Sequence, residues 1–380
     1  MDFTLTEEQK MFQTMVRDFA TKELAPGAAK RDEEAIFPTE ALKKMGELGL
    51  LGAGFPEQYG GSGGDSVQQC ILCEELSRVE AGAGTVYIGT TSLATYPIYK
   101  FGSEEIKKKY MTATLSGKKV GCFALTEAQA GSDATAVQTT ATKDGNHYVL
   151  NGSKIFITNG QEAEVITLFA TTDKALKHRG IIALVMDGNT PGYTVGKKEH
   201  KLGIRCSSTN ELVFENARVP VSNRLSDEGK GFSVAIETID SSRTVVAAQA
   251  VGIAQGALEA SIQFSKDRQQ FGQPISNFQA IQWMLADMAT HLEAARLLTY
   301  QAANLKDMGL PFVKQSCMAK LFASEAAMMI TTKAVQVHGG YGYVKEYPVE
   351  RYFRDAKITE IYEGTSEMQR MTIARHLLRG

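Results

Sequence analysis

A glutamate in an apolar stretch near the C-terminal end of the chain is a candidate for proton chemistry. Glu363 follows Ile361 and Tyr362 and directly precedes Gly364. A carboxylate in such surroundings is poorly solvated, which raises its pKa and makes it a stronger base toward a carbon acid. The alternative is an ordinary acidic residue at the N-terminal end of a helix near Thr365, where the helix dipole stabilises it. The segment therefore predicts either a general base or a helix-end acid.

Two segments in the middle of the chain could hold a cofactor. Residues 122–140 contain LTEAQAGSD, in which glycine allows close approach of a ligand and the adjacent hydroxyl groups can bind phosphate. The alternative for this segment is a polar turn between strands. Residues 151–160 contain KIFITNG, where Phe156 could pack against a flat cofactor, although phenylalanine is more often a core residue.

Two later segments could bind the phosphate or base end of a nucleotide. Residues 266–274 read KDRQQFGQP, in which the guanidinium of Arg268 could bind a pyrophosphate through two N–H groups. The alternative for this segment is a solvated helix end. In QVHGGYGY, residues 336–343, glycine N–H groups could meet a phosphate or an adenine edge, or the segment is a plain turn. It is not a G-x-G-x-x-G motif after a strand, so a Rossmann site is not supported. The lone His338 is expected to be structural.

The hydrophobic pattern divides the chain into three zones that must position these segments. Up to about residue 115, apolar residues recur at helical spacing. Short β-branched and aromatic runs follow, separated by Gly, Asn and Asp; they predict an antiparallel barrel or sandwich, with hairpin signals at residues 144–146 and 151–152. Longer helices return from about residue 231. The expected domains are residues 1–118 (helical), 119–227 (β) and 228–380 (helical).

Length, composition and charge exclude several classes of protein. The 380 residues, 43% hydrophobic and 22% charged, suit a soluble globular chain of about two or three domains. Lys+Arg 41 against Asp+Glu 43 leaves no basic surplus for nucleic acid. Cys70 and Cys73 form a lone C-x-x-C without partner ligands, which predicts two buried side chains rather than a metal site. The N-terminal segment lacks signal-peptide features and no apolar run approaches about 18 residues, so we expect no membrane insertion and a cytoplasmic location.

In this order, the five segments resemble the acyl-CoA dehydrogenase family, over essentially the whole chain and nearest to its bacterial short-chain (butyryl-CoA dehydrogenase-like) branch. The resemblance rests on LTEAQAGSD, KIFITNG, DRQQFG, QVHGGYGY and RDAKITEIYEGTSEMQR. It implies a multidomain α+β fold: an N-terminal helical domain, a middle antiparallel β domain and a C-terminal four-helix bundle. It also implies FAD at a subunit interface of a homotetramer.

The resemblance assigns roles to residues of this sequence. Glu363 matches the catalytic base; the position at which some members carry the base instead is Ser242 here. Contacts with the CoA thioester fall on Ser132, Asp240, Arg243 and Gly364. Contacts with FAD fall on Phe123, Leu125, Thr126, Ser132, Phe156, Thr158, Arg268, Phe271, Gln279, Gln336, Gly339, Gly340, Thr365 and Glu367.

The implied reaction is α,β-dehydrogenation of a saturated acyl-CoA to the 2,3-enoyl-CoA. Glu363 takes the α-proton, flavin N5 takes the β-hydrogen as hydride, and an electron-transfer flavoprotein reoxidises the cofactor. Tyr87, Thr91 and Tyr96 lie on the helix that usually lines the acyl pocket, and the sequence leaves their orientation open, so short linear, branched and alicyclic acyl groups all fit. The alternatives are a flavin oxidase or monooxygenase of the same fold and a non-catalytic CoA-binding protein.

Overall fold

The computed structural model describes residues 4–378. Its N-terminal part is helical, as predicted. Two of its helices begin with capping boxes, in which the side chains of Thr6 and Asp65 each accept a bond from the backbone N–H three residues later. Two π-helical stretches, Ala20–Leu24 and Ile88–Thr95, interrupt the regular helices. The α-helices are α1 (Glu7–Phe19), α2 (Ala28–Glu34), α3 (Thr39–Glu47), α4 (Ser66–Val79), α5 (Ala81–Tyr87), α6 (Tyr96–Phe101) and α7 (Glu104–Leu115).

The middle of the chain forms one curled sheet. Its strands are β1 (Val120–Ala124), β2 (Thr140–Asp144), β3 (His147–Thr158), β4 (Ala163–Thr171), β5 (Ile181–Asp187), β6 (Tyr193–Lys198) and β7 (Thr209–Pro220). The order is β1-β4-β2-β3-β7-β6, and β5 pairs with β4. The pairing is antiparallel, as predicted, except that β4 runs parallel to β1 and meets β2 in a parallel bridge.

Of the two expected hairpin signals, the structure confirms one. Residues 145–146 connect β2 to β3, and Gly145 has φ 57°. The expectation of a hairpin at Asn151-Gly152 is wrong, because both residues lie inside β3, where its register against β7 shifts. Gly152 is required for close approach, since a Cβ there would lie 2.8 Å from the Cα of Thr139.

Long helices return in the C-terminal part and pack as a bundle. They are α8 (Gly231–Asp267), α9 (Gln279–Asp307), α10 (Val313–His338), α11 (Val349–Ala356) and α12 (Ser366–Leu378), with a small ribbon of β8 (Gln269–Gln270) and β9 (Gln273–Pro274) before α9. By length and composition α8 could cross a membrane, but 78% of its most apolar window is buried inside the protein. It is therefore the central core helix, and the predicted order of helical, β and helical zones is confirmed.

The two helical regions share a hydrophobic core. A cluster of buried residues joins Leu72 and Leu76 of α4 to Val245 and Val246 of α8. The approach is close, because a Cβ on Gly252 would lie 2.2 Å from the backbone oxygen of Glu74. All five cysteines are free and buried, which confirms the expectation of small buried side chains for the C-x-x-C pair.

Candidate active site

A strained turn presents Glu363 between α11 and α12. Glu363 has φ 53° and Gly364 has φ 94°, a region that residues other than glycine rarely adopt. Three buried or half-buried side chains hold the turn. Lys320 Nζ and Gln369 Nε2 donate to the oxygen of Gly364 at 2.7 and 2.8 Å. Arg243 Nε donates to the oxygen of Glu363 at 3.4 Å, so α8, α10 and α12 together fix the position of the glutamate.

The carboxylate of Glu363 is buried, and neither oxygen has a hydrogen-bond partner within residues 4–378. Burial raises its pKa to about 7, while the unpaired Ser242 hydroxyl and the charges of Lys320 and Arg243 oppose the rise. The raised pKa expected from the apolar sequence is thus confirmed. A buried polar group without a partner is rare in a folded protein, and it is typical of a group that acts on a ligand.

The alternative expectation for Glu363, a helix-end acid, does not hold. Thr365 occupies that place, since its Oγ1 accepts a 3.4 Å hydrogen bond from the backbone N–H of Met368 in the first turn of α12. Glu363 lies before this cap. Its carboxylate therefore contributes nothing to the helix start and is available for chemistry.

Most of the residues expected to contact a thioester come together beside Glu363. Asp240 and Arg243 form an ion pair one turn apart on α8, and Arg243 Nη1 also lies 3.5 Å from Cys317 Sγ. A Cβ on Gly364 would lie 3.7 Å from Arg243 Nη2. Ser132 is separate: it lies exposed on the loop after β1, and none of the described hydrogen bonds joins it to this cluster.

A cavity of about 700 Å³ adjoins this cluster at Asp240. Its walls come from α6, from α8, from the end of α9, from the start of α10 and from residues between 54 and 69, and they do not include Glu363, Arg243 or Gly364. Tyr96 lines the cavity, whereas Tyr87 is fully buried in the helical core and does not. Thr91 is buried too, and its Oγ1 donates to the oxygen of Tyr87 at 2.8 Å. A cavity of this size fits a ligand of cofactor or drug dimensions.

The two middle-domain segments expected to hold a flavin are neighbours. The backbone N–H of Ile155 donates to the oxygen of Thr126 at 2.9 Å, which brings the end of β3 beside the loop after β1. Leu125 is buried, and Phe123 packs its ring 4.8 Å from that of Phe169.

Phe156 lies at a bulge of β3, with φ 57° and 60% of its surface exposed, and Thr158 is half-buried at the strand end. A core position for Phe156, the alternative that its residue type alone favours, is therefore wrong. An uncovered aromatic ring offers a platform on which a flat cofactor can pack.

The two segments expected to hold the nucleotide end also contact each other. The guanidinium of Arg268 lies 5.2 Å from the ring of Tyr341, just after Gly339 and Gly340. Phe271 is 93% exposed, and Gln279 and Gln336 are exposed as well. A Cβ on Gly339 or Gly340 would meet no atom within 4 Å, so this backbone is open to a ligand. Thr365 is half-buried and Glu367 is exposed at the start of α12.

These features fit FAD. The ring end has an uncovered aromatic platform, and the nucleotide end has a cation, amide side chains and an open glycine backbone. His338 is buried at the C-terminal end of α10, where its ring stacks on Phe264 at 4.3 Å and its Nδ1 lies 2.8 Å from the oxygen of Ala334. Burial lowers its pKa, which agrees with the structural role expected for it.

Sequence reasoning missed Lys320 and Gln369, which hold the turn of Glu363. The only signal for Lys320 is a single lysine in an apolar helical run, AKLFAS, where a solvated face is not expected. It is fully buried, and burial lowers its pKa to about 8.

Comparisons with known proteins agree with this geometry. Residues 6–118, 122–217 and 229–378 match the N-terminal, middle and C-terminal domains of acyl-CoA dehydrogenase. The short-chain specific acyl-CoA dehydrogenase of Clostridium acetobutylicum is 50% identical over 379 residues, 100% of each chain. The butyryl-CoA dehydrogenase structure from Megasphaera elsdenii is 48% identical, with a TM-score of 0.98 over 100% of each chain.

Two further structures bear on cofactor and partner. A chain in the structure of the electron transferring flavoprotein of Acidaminococcus fermentans is 52% identical, with a TM-score of 0.99 over 100% of each chain. A glutaryl-CoA dehydrogenase from Mycobacterium smegmatis in complex with FADH2 is 33% identical, with a TM-score of 0.94 over 99% of this chain and 96% of the other. With every domain matched in order, this chain belongs to the acyl-CoA dehydrogenase family and has its fold.

Proposed function

We propose that this protein is an FAD-dependent dehydrogenase that removes an α- and a β-hydrogen from a short acyl-CoA thioester and leaves the 2,3-enoyl-CoA. The observation that carries the proposal is the Glu363 carboxylate, which is buried, without a hydrogen-bond partner in the described residues, and raised to a pKa of about 7. A buried carboxylate near half-ionisation can accept a proton from a weak carbon acid. Glu363 is the proposed catalytic base.

The turn of Glu363 supplies orientation and a donor. Lys320, Gln369 and Arg243 occupy the two carbonyl oxygens of residues 363 and 364, which fixes the side chain relative to a bound thioester. The backbone N–H of Glu363 has no acceptor among residues 4–378. We assign it to the thioester oxygen, where it stabilises the negative charge that develops as the α-proton leaves.

FAD is the cofactor, and the residues of this chain fit it at both ends. Phe123, Leu125, Thr126, Phe156 and Thr158 are proposed for the flavin ring, with Ser132 for the phosphates and the thioester. The nucleotide end is assigned to Arg268, Phe271, Gln279, Gln336, Gly339 and Gly340, with Thr365 and Glu367 beside the catalytic turn. When bound, the flavin accepts the β-hydrogen with its electron pair.

An electron-transfer flavoprotein is the proposed acceptor, supported by the near-identical fold of a chain in the structure of the electron transferring flavoprotein of Acidaminococcus fermentans. A homotetramer is proposed because uncovered apolar residues flank the nucleotide-binding segment; Trp283 is 64% and Tyr343 is 88% exposed. The free, buried cysteines support the cytoplasm as its location. We place the domain boundaries in the loops at residues 118–119 and 227–228.

Anaerobic reduction of the flavin by a saturated thioester tests the function. Butyryl-CoA should bleach the visible absorption of the wild-type holoenzyme. Glu363→Gln should retain FAD and lose the bleaching, while Glu360→Gln, a neighbouring acid that pairs with Lys357, should behave as wild type. Bleaching of the Glu363→Gln variant at the wild-type rate contradicts the assignment of the base.

The alternatives have their own signatures. Peroxide release equal to thioester consumption in air identifies an oxidase, and purified protein that binds no FAD and turns over no thioester identifies a CoA-binding protein without catalysis.

A further inference from the structure

A buried ion pair joins the two middle-domain segments that flank the proposed flavin ring. Lys154 is 0% and Glu127 is 3% exposed, and Lys154 Nζ lies 2.8 Å from Glu127 Oε1. Taking two charges out of water costs free energy that only complete pairing offsets, so such a pair is weak evidence for stability alone. The further role of the pair must therefore be inferred from the groups that Lys154 and Glu127 contact.

Three consecutive residues of the loop after β1 are attached to the bulge of β3. Lys154 Nζ donates to the oxygen of Leu125 at 3.1 Å as well as to Glu127. The next backbone N–H, that of Ile155, donates to the oxygen of Thr126 at 2.9 Å. The peptide units proposed to face the flavin are thus fixed to β3 by hydrogen bonds within the protein.

Glu127 also fixes the far end of the same loop. Its Oε1 accepts the backbone N–H of Thr139 at 3.0 Å, and its Oε2 accepts the backbone N–H of Gln138 at 2.6 Å and Nε2 of Gln129 at 3.1 Å. The carboxylate thereby closes the loop of residues 127–139, which carries Ser132. A buried network with this many hydrogen bonds is rigid.

The pair lies directly before the bulge that exposes Phe156. Lys154 pairs with Leu212 and Ile157 pairs with Asn210, so residues 155–156 oppose one residue of β7. Bulges redirect side chains out of the regular alternation of a strand, and here the ring of Phe156 is turned toward solvent. An anchor at residue 154 therefore sets the direction of that ring.

The charges of the two side chains support each other. Burial lowers the pKa of Lys154 to about 8, and Glu127 opposes the fall. Burial by itself raises the pKa of Glu127, but the charge of Lys154 and the N–H donors lower it overall. The pair is therefore ionised at neutral pH.

We infer that Lys154 and Glu127 are positioning residues for the flavin ring, which hold Leu125 and Thr126 at a fixed separation from Phe156 and Thr158 before FAD binds. The inference rests on the flavin contacts given under the proposed function. A site that is already formed loses less conformational entropy when its ligand binds, so the pair raises the affinity for FAD.

Titration of apoprotein with FAD, followed by flavin fluorescence and by visible circular dichroism of the bound flavin, tests the inference without turnover. Lys154→Met and Glu127→Gln should each weaken FAD binding at least about tenfold and change the dichroism of the flavin band. The double variant leaves no unpaired buried charge, so its Tm should be higher than that of either single variant, while its binding of FAD stays weak. As a control, Arg31→Met with Glu80→Gln removes both partners of a partly buried ion pair of the helical region and should leave the Kd for FAD unchanged.

A double variant that folds and binds FAD with the wild-type Kd and dichroism overturns the inference. If the double variant does not fold, Glu127→Gln decides alone, because an amide has only one acceptor oxygen and cannot accept all the bonds that the two carboxylate oxygens accept, and a wild-type Kd again overturns the inference. The wild-type titration is separate: an apoprotein that binds no FAD contradicts the proposed function, whatever the role of the pair.

Discussion

Lys320 Nζ donates a 2.7 Å hydrogen bond to the backbone oxygen of Gly364, the residue directly after the proposed base Glu363. The ammonium group is fully buried, and its charge and that of the Glu363 carboxylate attract each other. One side chain therefore both holds the catalytic turn and favours the ionised form of the base. Arg243 acts in the same direction from α8, while Glu360 and Cys317 also face Lys320.

Lys320→Met should shift the pH dependence of the reaction. Loss of the positive charge raises the pKa of Glu363, so a smaller fraction is ionised at pH 7 and kcat/KM falls there. Activity should recover at higher pH, with the acid limb of the kcat/KM profile displaced upward by about one pH unit. Lys333→Met, on the exposed side of α10, is the control and should leave the profile in place. An equal loss at every pH means that Lys320 only holds the turn.

Local patterns predict the helical, β and helical zones of this chain and the buried position of Glu363, but not the contacts that depend on residues far away in the sequence. The residue type of Phe156 alone favours a core position, and only its place at the β3 bulge exposes it. The Asn151-Gly152 pair predicts a hairpin, but it lies where the register of β3 shifts. Glycine is favoured both in tight turns and at such irregularities, so the sequence alone does not separate the two. No local pattern predicts the roles of Lys154 and Lys320, because their hydrogen-bond partners lie 27 and 44 residues away along the chain.

Stability should also depend on the ionisation of Glu363. Its pKa rises from 4.5 to about 7 on folding, so between these values the unfolded chain has lost the proton that the folded protein still binds. Stability therefore falls as pH rises from about 4.5 to about 7. Glu363→Gln cannot ionise and should be more stable than wild type at pH 8, by on the order of 3 kcal/mol at most, and similar near pH 4.5. Urea denaturation of the two holoproteins across this range checks the sign; a larger gain at low pH contradicts it.

The left-handed turn at Gly364 should not tolerate a side chain. Gly364→Ala places a Cβ at φ 94° and 2.8 Å from Gln369 Nε2, which strains the turn and displaces one of its donors. We expect a loss of about 1–2 kcal/mol in stability and a fall in kcat of tenfold or more. Gly309→Ala is the matched control, since Gly309 has φ 67° and open space around its Cα. It should lose similar stability and keep full activity; equal kcat in the two variants argues against a catalytic turn.

Acyl-chain preference should depend on Tyr96 and not on Tyr87. Tyr96 lines the 700 Å³ cavity, with the ammonium of Lys306 5.3 Å from its ring, whereas Tyr87 lies in the core with an unpaired hydroxyl. Tyr96→Ala widens the cavity and should raise kcat/KM for longer or branched thioesters relative to butyryl-CoA, by about tenfold. Tyr87→Phe should leave the preference unchanged and raise stability by about 1 kcal/mol, because it removes a buried hydroxyl without a partner. A series of acyl-CoA thioesters assayed with an artificial electron acceptor gives kcat/KM relative to butyryl-CoA for both variants. If only Tyr87→Phe changes the preference, the end of the acyl chain lies against Tyr87 and the prediction is wrong.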